Sequence, residues 1–145
     1  MDVVRLAFYK AQKGDIWGNI IASYTGLFHW GQPKYCHVEI GFLVDNSWKW
    51  YSSASRNLDG TTGTRWITEA ILFRNPERWD IYDVVPVCPV PDMIKTCNDE
   101  CGKKYDWYGI LGFITLFGQL NSKNMWYCSE ICNYVFSRKW TKRVS

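Results

Sequence analysis

Runs in which apolar positions recur every second residue alternate along this chain with runs in which they recur at helical spacing, and the two periods divide it into elements. Val3 to Tyr9, with its β-branched and aromatic residues, predicts a strand that Lys13-Gly14-Asp15 ends. Asp15 is placed to cap a helix carrying Ile16, Ile20, Ile21 and Tyr24, stopped by Thr25-Gly26, and a loop from Phe28 to Lys34 follows. Tyr35 to Val44 and Trp48 to Ser55 flank Asp45-Asn46-Ser47, the pattern of a β-hairpin. Because side chains alternate along a strand, Val38, Ile40 and Phe42 form one face, which their size predicts to be buried. His37 and Glu39 share the other face, directed to solvent or into a polar cleft.

In the second half, Arg56 to Gly63 reads as a polar loop and Thr64 to Thr68 as a short strand. Trp79 to Val87 alternates well and predicts a strand ended by Pro89 and Pro91. From Asp92 the pattern is helical, with Met93, Ile94, Cys97 and Cys101 on one face and Gly102 as the stop. The apolar stretch Tyr105 to Gly118 predicts a core helix capped by Asp106, or a hydrophobic flap over a site. A polar loop, Asn121 to Asn124, then delivers Trp126-Tyr127-Cys128, after which Ile131, Cys132, Val135 and Phe136 return at helical spacing. Cys128 therefore stands at the N-terminus of a helix. One helix and the strands come first and the other helices last, so the expected class is α+β in a single domain over residues 1–145.

Composition narrows the function classes more than it narrows the fold. Nine Trp and nine Tyr favour strands and large contact surfaces, and core packing accounts for most of them. A net charge of +3 is too small to argue for nucleic acid, and Arg138, Lys139, Lys142 and Arg143 read as a solvated tail. The opening residues lack a basic region and a cleavage signal, and the longest apolar run, Trp107 to Gly118, falls short of the ~20 residues a spanning helix needs. The expectation is a soluble, cytoplasmic chain with no integral membrane segment, or one in the virion or host cell were it phage-encoded.

The cysteines, at 36, 88, 97, 101, 128 and 132, lack the framework of a small secreted protein and are expected to be reduced. Cys97/Cys101 and Cys128/Cys132 have the i, i+4 spacing that sets two thiolates on one helix face for zinc. A buried apolar stripe has the same spacing, and structural zinc sites favour tighter Cys-x-x-Cys knuckles, so no metal or cofactor is expected.

The reactive chemistry rests on Cys128. A free thiol is only ~3% thiolate at pH 7, so a nucleophilic cysteine needs help. Unpaired N–H groups at a helix start supply some of it, and an imidazole partner supplies the rest. Of the two histidines, His29 lies in a loop between bulky residues, whereas His37 begins a strand. A third group must orient the imidazole. Glu39 lies on the same strand face, and Ser52 or Ser53 on the hairpin partner strand could equally lie beside the ring.

Taken together, Gly14-Asp15-Ile16, Tyr35-Cys36-His37-Val38-Glu39-Ile40, Tyr105-Asp106-Trp107 and Trp126-Tyr127-Cys128-Ser129-Glu130 resemble the circularly permuted branch of the NlpC-type papain-like hydrolases. That branch includes YiiX-like bacterial proteins, phage-encoded relatives and, more remotely, the lecithin retinol acyltransferase group. The resemblance implies a permuted papain-like fold, an antiparallel sheet whose histidine-bearing hairpin packs on C-terminal helices. It implies Cys128 as nucleophile and His37 as base. The family's third polar residue commonly lies on the next strand, around Trp50 to Ser53, where this chain has no His, Glu or Gln, and that departure raises the standing of Glu39. Glu130 matches a motif position and reads as structural. The implied activity is thiol hydrolysis of amide bonds in peptide or cell-wall material. Acyl transfer or lipid thioester hydrolysis, with Trp107 to Gly118 covering an acyl chain, is the neighbouring alternative, and an inactive binding or virion-associated module is the third.

Overall fold

A computed structural model of the protein describes residues 3–12, 14, 35–55, 60, 62–106, 125–126 and 128–137. The expected helix from Ile16 to Tyr24, His29, the apolar residues 107–118 and the basic cluster after 137 lie outside these.

The described chain is α+β, with a five-stranded antiparallel sheet. Its strands are β1 (Val4–Lys10), β2 (Tyr35–Val44), β3 (Ser47–Ala54), β4 (Gly63–Thr68) and β5 (Trp79–Val84), in the order β4-β3-β2-β1-β5. The hairpin forms as expected. Its turn is tighter, with Asp45 and Asn46 at φ of 50° and 59°, as the primed two-residue turns require, so Ser47 already belongs to β3. β5 stops at Val84, before Pro86, which cannot donate to a ladder. Between β4 and β5 lie a short helix, α1 (Glu69–Leu72), and one 3-10 turn, Pro76–Arg78, neither of them long enough to carry a period.

Two further helices pack on the aliphatic face of the sheet. They are α2 (Val90–Asp99), which begins earlier than Asp92 because Pro91 is accommodated in its first turn, and α3 (Cys128–Ser137). Val4, Val38, Ile40, Phe42 and Tyr51 from the strands meet Met93 and Cys97 of α2 and Ile131, Cys132 and Val135 of α3 in one core. Cys101 lies beyond the end of α2 and is exposed while Cys97 is buried, so the pair does not share a helix face.

The opposite face of the sheet is closed by aromatic rings. Trp50 lies over Gly41, where an added Cβ would meet its ring at 2.8 Å. Trp50 packs edge-on against Phe73 at 5.0 Å, and Phe73 against Trp79 at 5.4 Å. On the same face Glu39 is buried, and His37 stays partly exposed.

Tyr105 is not helical. It belongs to β6 (Lys104–Tyr105), which pairs in parallel with β7 (Met125–Trp126). This pair brings the chain that enters α3 alongside the chain that leaves α2. It is tied to β4 at Thr64: its N–H donates to the Lys103 carbonyl at 2.9 Å, and Gly102 N–H donates to the Thr64 carbonyl at 3.1 Å. The Thr64 hydroxyl also donates to the Glu100 carbonyl at 2.6 Å and accepts from Lys103 N–H at 2.8 Å.

Gly63, at φ of 105°, makes this approach possible, since a Cβ there would sit 1.9 Å from the Lys103 carbonyl oxygen. Gly63→Ala is expected to lower stability by about 2 kcal/mol or more, read as a reduced urea midpoint, because both the backbone conformation and the contact are lost.

Candidate thiol site

The site is assembled where β2, β4 and α3 meet. Cys128 is the first residue of α3, placed there by the β6–β7 pair that precedes it. His37 and Glu39 project from β2 on one face, as alternation requires. Glu39 is fully buried, whereas the His37 side chain keeps 21% of its surface exposed.

His37 Nε2 lies 2.6 Å from Glu39 Oε1, and the ring also hydrogen-bonds the Cys128 thiol. Because the carboxylate can only accept, Nε2 carries a proton. The edge of Trp79 packs against the ring at 6.3 Å between centroids. Ser52 does not compete for the histidine: its hydroxyl donates to the Val38 carbonyl at 2.7 Å. Of the groups left open by the sequence, Glu39 is bonded to the imidazole. It is not a solvated strand carboxylate.

Arg65 on β4 is the residue that sequence reasoning missed. Its Nη1 donates to Glu39 Oε2 at 2.7 Å and its Nη2 to Oε1 at 2.5 Å, a two-pronged grip on the carboxylate. On the ladder, Arg65 stands opposite Ser52 of β3, and the small serine lets the long guanidinium pass across to β2. The available signal was alternation in Thr64-Arg65-Trp66-Ile67, which puts Arg65 on the face opposite Trp66. Which strand that face would look toward is not written in the local pattern.

The charges follow from these contacts. For Glu39, burial works toward the neutral acid, but the charge and hydrogen bonds of Arg65, then those of His37, hold it down at about 2, against an ordinary 4.5. For His37, burial works against the cation, but the charge and hydrogen bond of Cys128, then those of Glu39, raise it from 6.5 to about 9. Arg65 is raised as well: burial is outweighed by Glu39.

The second cysteine of α3 is of a different kind. Cys132 is buried, with its sulfur 3.8 Å from the Val38 carbonyl and 3.9 Å from the Ser52 hydroxyl, and burial pushes its thiol well above the ordinary range. Burial likewise pushes Cys97 up. No disulfide joins any of the six cysteines. Among the described residues, no cluster of three or more His, Cys, Asp or Glu is placed to hold a metal ion, and no helix is long and apolar enough to cross a membrane.

No known protein-family model matches the chain, and no curated protein sequence does.

The two shifts act at opposite ends of the pH scale. Glu39, depressed in the fold, contributes stability present above its unfolded 4.5 and lost as pH falls toward 2. His37, raised in the fold, contributes stability fully present below 6.5 and lost as pH rises through 9. Thermal midpoints are expected to be highest between these windows. Glu39→Gln should flatten the acid limb and His37→Gln the alkaline one, as followed by circular dichroism.

Proposed function

We propose that this protein is a thiol hydrolase of the permuted papain-like type, acting on amide bonds of peptide or cell-wall material. The observation that carries the reading is the histidine itself, hydrogen-bonded at once to a helix-start cysteine and to a buried carboxylate. Chain order supports it, since the histidine strand precedes the cysteine helix and the antiparallel sheet packs on that helix. The acyl-chain alternative rests on residues 107–118, and no described residue favours it.

In the resting site the proton lies on His37 and the charge on Cys128. The sulfur attacks the carbonyl carbon, and the carbonyl π pair becomes an oxyanion. Backbone N–H groups at the start of α3 are suited to receive it. Collapse breaks the C–N bond, and the imidazolium gives its proton to the departing amine. Water then attacks the acyl-thioenzyme while His37, now neutral, takes a proton from it. Collapse of the second oxyanion releases the carboxylic acid and restores the thiolate–imidazolium pair. Throughout, Glu39 holds the ring and its tautomer and takes no proton.

Labelling with a small thiol-reactive probe, read by site-resolved mass spectrometry, tests the pair. At pH ~6 Cys128 is expected to react at least about tenfold faster than Cys36 or Cys88, and His37→Ala should remove that advantage. Hydrolysis of a peptide and ester panel should fall by about 10²-fold or more in His37→Ala and be lost in Cys128→Ala. Equal reactivity of Cys128 and Cys88, or a His37→Ala variant labelled at the wild-type rate, would refute the dyad.

A further inference from the structure

We propose that Arg65 is a positioning residue of the thiol site: gripping both oxygens of Glu39, it fixes the carboxylate that orients His37, and its charge lets the Cys128–His37 ion pair form within a neutral set of four groups. The inference rests on the role given to Cys128 above.

Geometry carries the argument. Glu39 Oε1 is shared between His37 Nε2 and Arg65 Nη2, while Oε2 is taken by Nη1. A planar fork on both oxygens fixes the carboxylate plane, so only one direction remains for the imidazole N–H. The groups around this cluster are Tyr9 opposite His37 on β1, Ser52 on β3, Arg65 on β4, Cys128 and Cys132 on α3, and the edge of Trp79 on β5. Cys132 is a buried neutral thiol and adds no charge.

Thiolate, imidazolium, carboxylate and guanidinium therefore sum to zero. Without the guanidinium, the same three groups carry an excess negative charge beneath the aromatic layer. Excess negative charge raises the proton affinity of every member, and the thiolate is the member able to take the proton. Arg65 thus acts at a distance from the sulfur by keeping an additional proton off Cys128 while His37 retains its own.

Alkylation of Cys128 by iodoacetamide from pH ~4 to ~9 reads this directly. It is compared in the wild type, Arg65→Met and Arg65→Lys, with the His37 ring titrated by NMR in the same proteins. In Arg65→Met the acid limb is expected to move up by about one pH unit or more, slowing reaction at pH ~6 about tenfold, while rates above the limb hardly change. Arg65→Lys, which keeps the charge, should leave the limb in place. An unmoved limb in Arg65→Met, or a rate lowered equally at every pH, overturns the proposal. If Arg65→Met does not fold, Glu39→Gln and the double variant Glu39→Gln/Arg65→Met make the same comparison with no buried carboxylate left unpaired. The limb must then lie higher in the double variant, and equal limbs overturn the proposal. A wild-type Cys128 no more reactive than Cys88 defeats the hydrolase reading instead. The His37 midpoint then decides for Arg65 alone: it rises in Arg65→Met if the proposal holds and stays put if it does not.

Discussion

A carboxylate with no exposed surface constrains the rest of this structure. Moving an ion such as Glu39 out of water costs several kcal/mol, and only good geometry with opposite charge offsets it. That geometry requires β4 to lie one strand away from β2, with a small residue on the strand between them. It also requires β4 to start at a fixed place, which the Thr64 bonds to the end of α2 provide. The strand order on this side of the sheet and the glycine at the head of β4 are parts of the same arrangement.

The two faces of the sheet solve different problems. One is aliphatic and packs on α2 and α3, as an ordinary α+β core does. The other is closed by Trp50, Phe73 and Trp79, whose ring edges and faces pack with few polar atoms. Burial removes water from around the Glu39 carboxylate and strengthens its attraction for Arg65 and His37. Burial in the aliphatic core separates the two cysteines of α3. Cys132, one turn along, is buried with only weak neutral acceptors and stays a thiol, whereas Cys128 meets the imidazole.

Much of this was legible in the sequence where a period runs long enough to be read. The hairpin, the buried set Val38, Ile40 and Phe42, and the helix beginning at Cys128 all follow from repeats of two or of about four residues. His37 and Glu39 as same-face neighbours follow from alternation alone. What escaped was set by tertiary context. Burial of Glu39 depends on the elements brought around β2 by the fold. Arg65 reaches its partner across an intervening strand, and no local pattern encodes which strands become neighbours. The β6 and β7 strands are too short to carry a period, so Tyr105 was read with the apolar residues after it.

The parallel pairing of Lys104–Tyr105 with Met125–Trp126 has a consequence for how such a chain could diversify. It holds the chain at Tyr105 beside the chain at Trp126, shortly before Cys128. The entropy of closing a loop grows only with the logarithm of its length, by about 0.6 kcal/mol per doubling. On that scale the number of residues joining the two strands bears little on the stability of the pair, which continues to deliver α3 in the same place. Chemistry and its surroundings are in this way free to change at different rates.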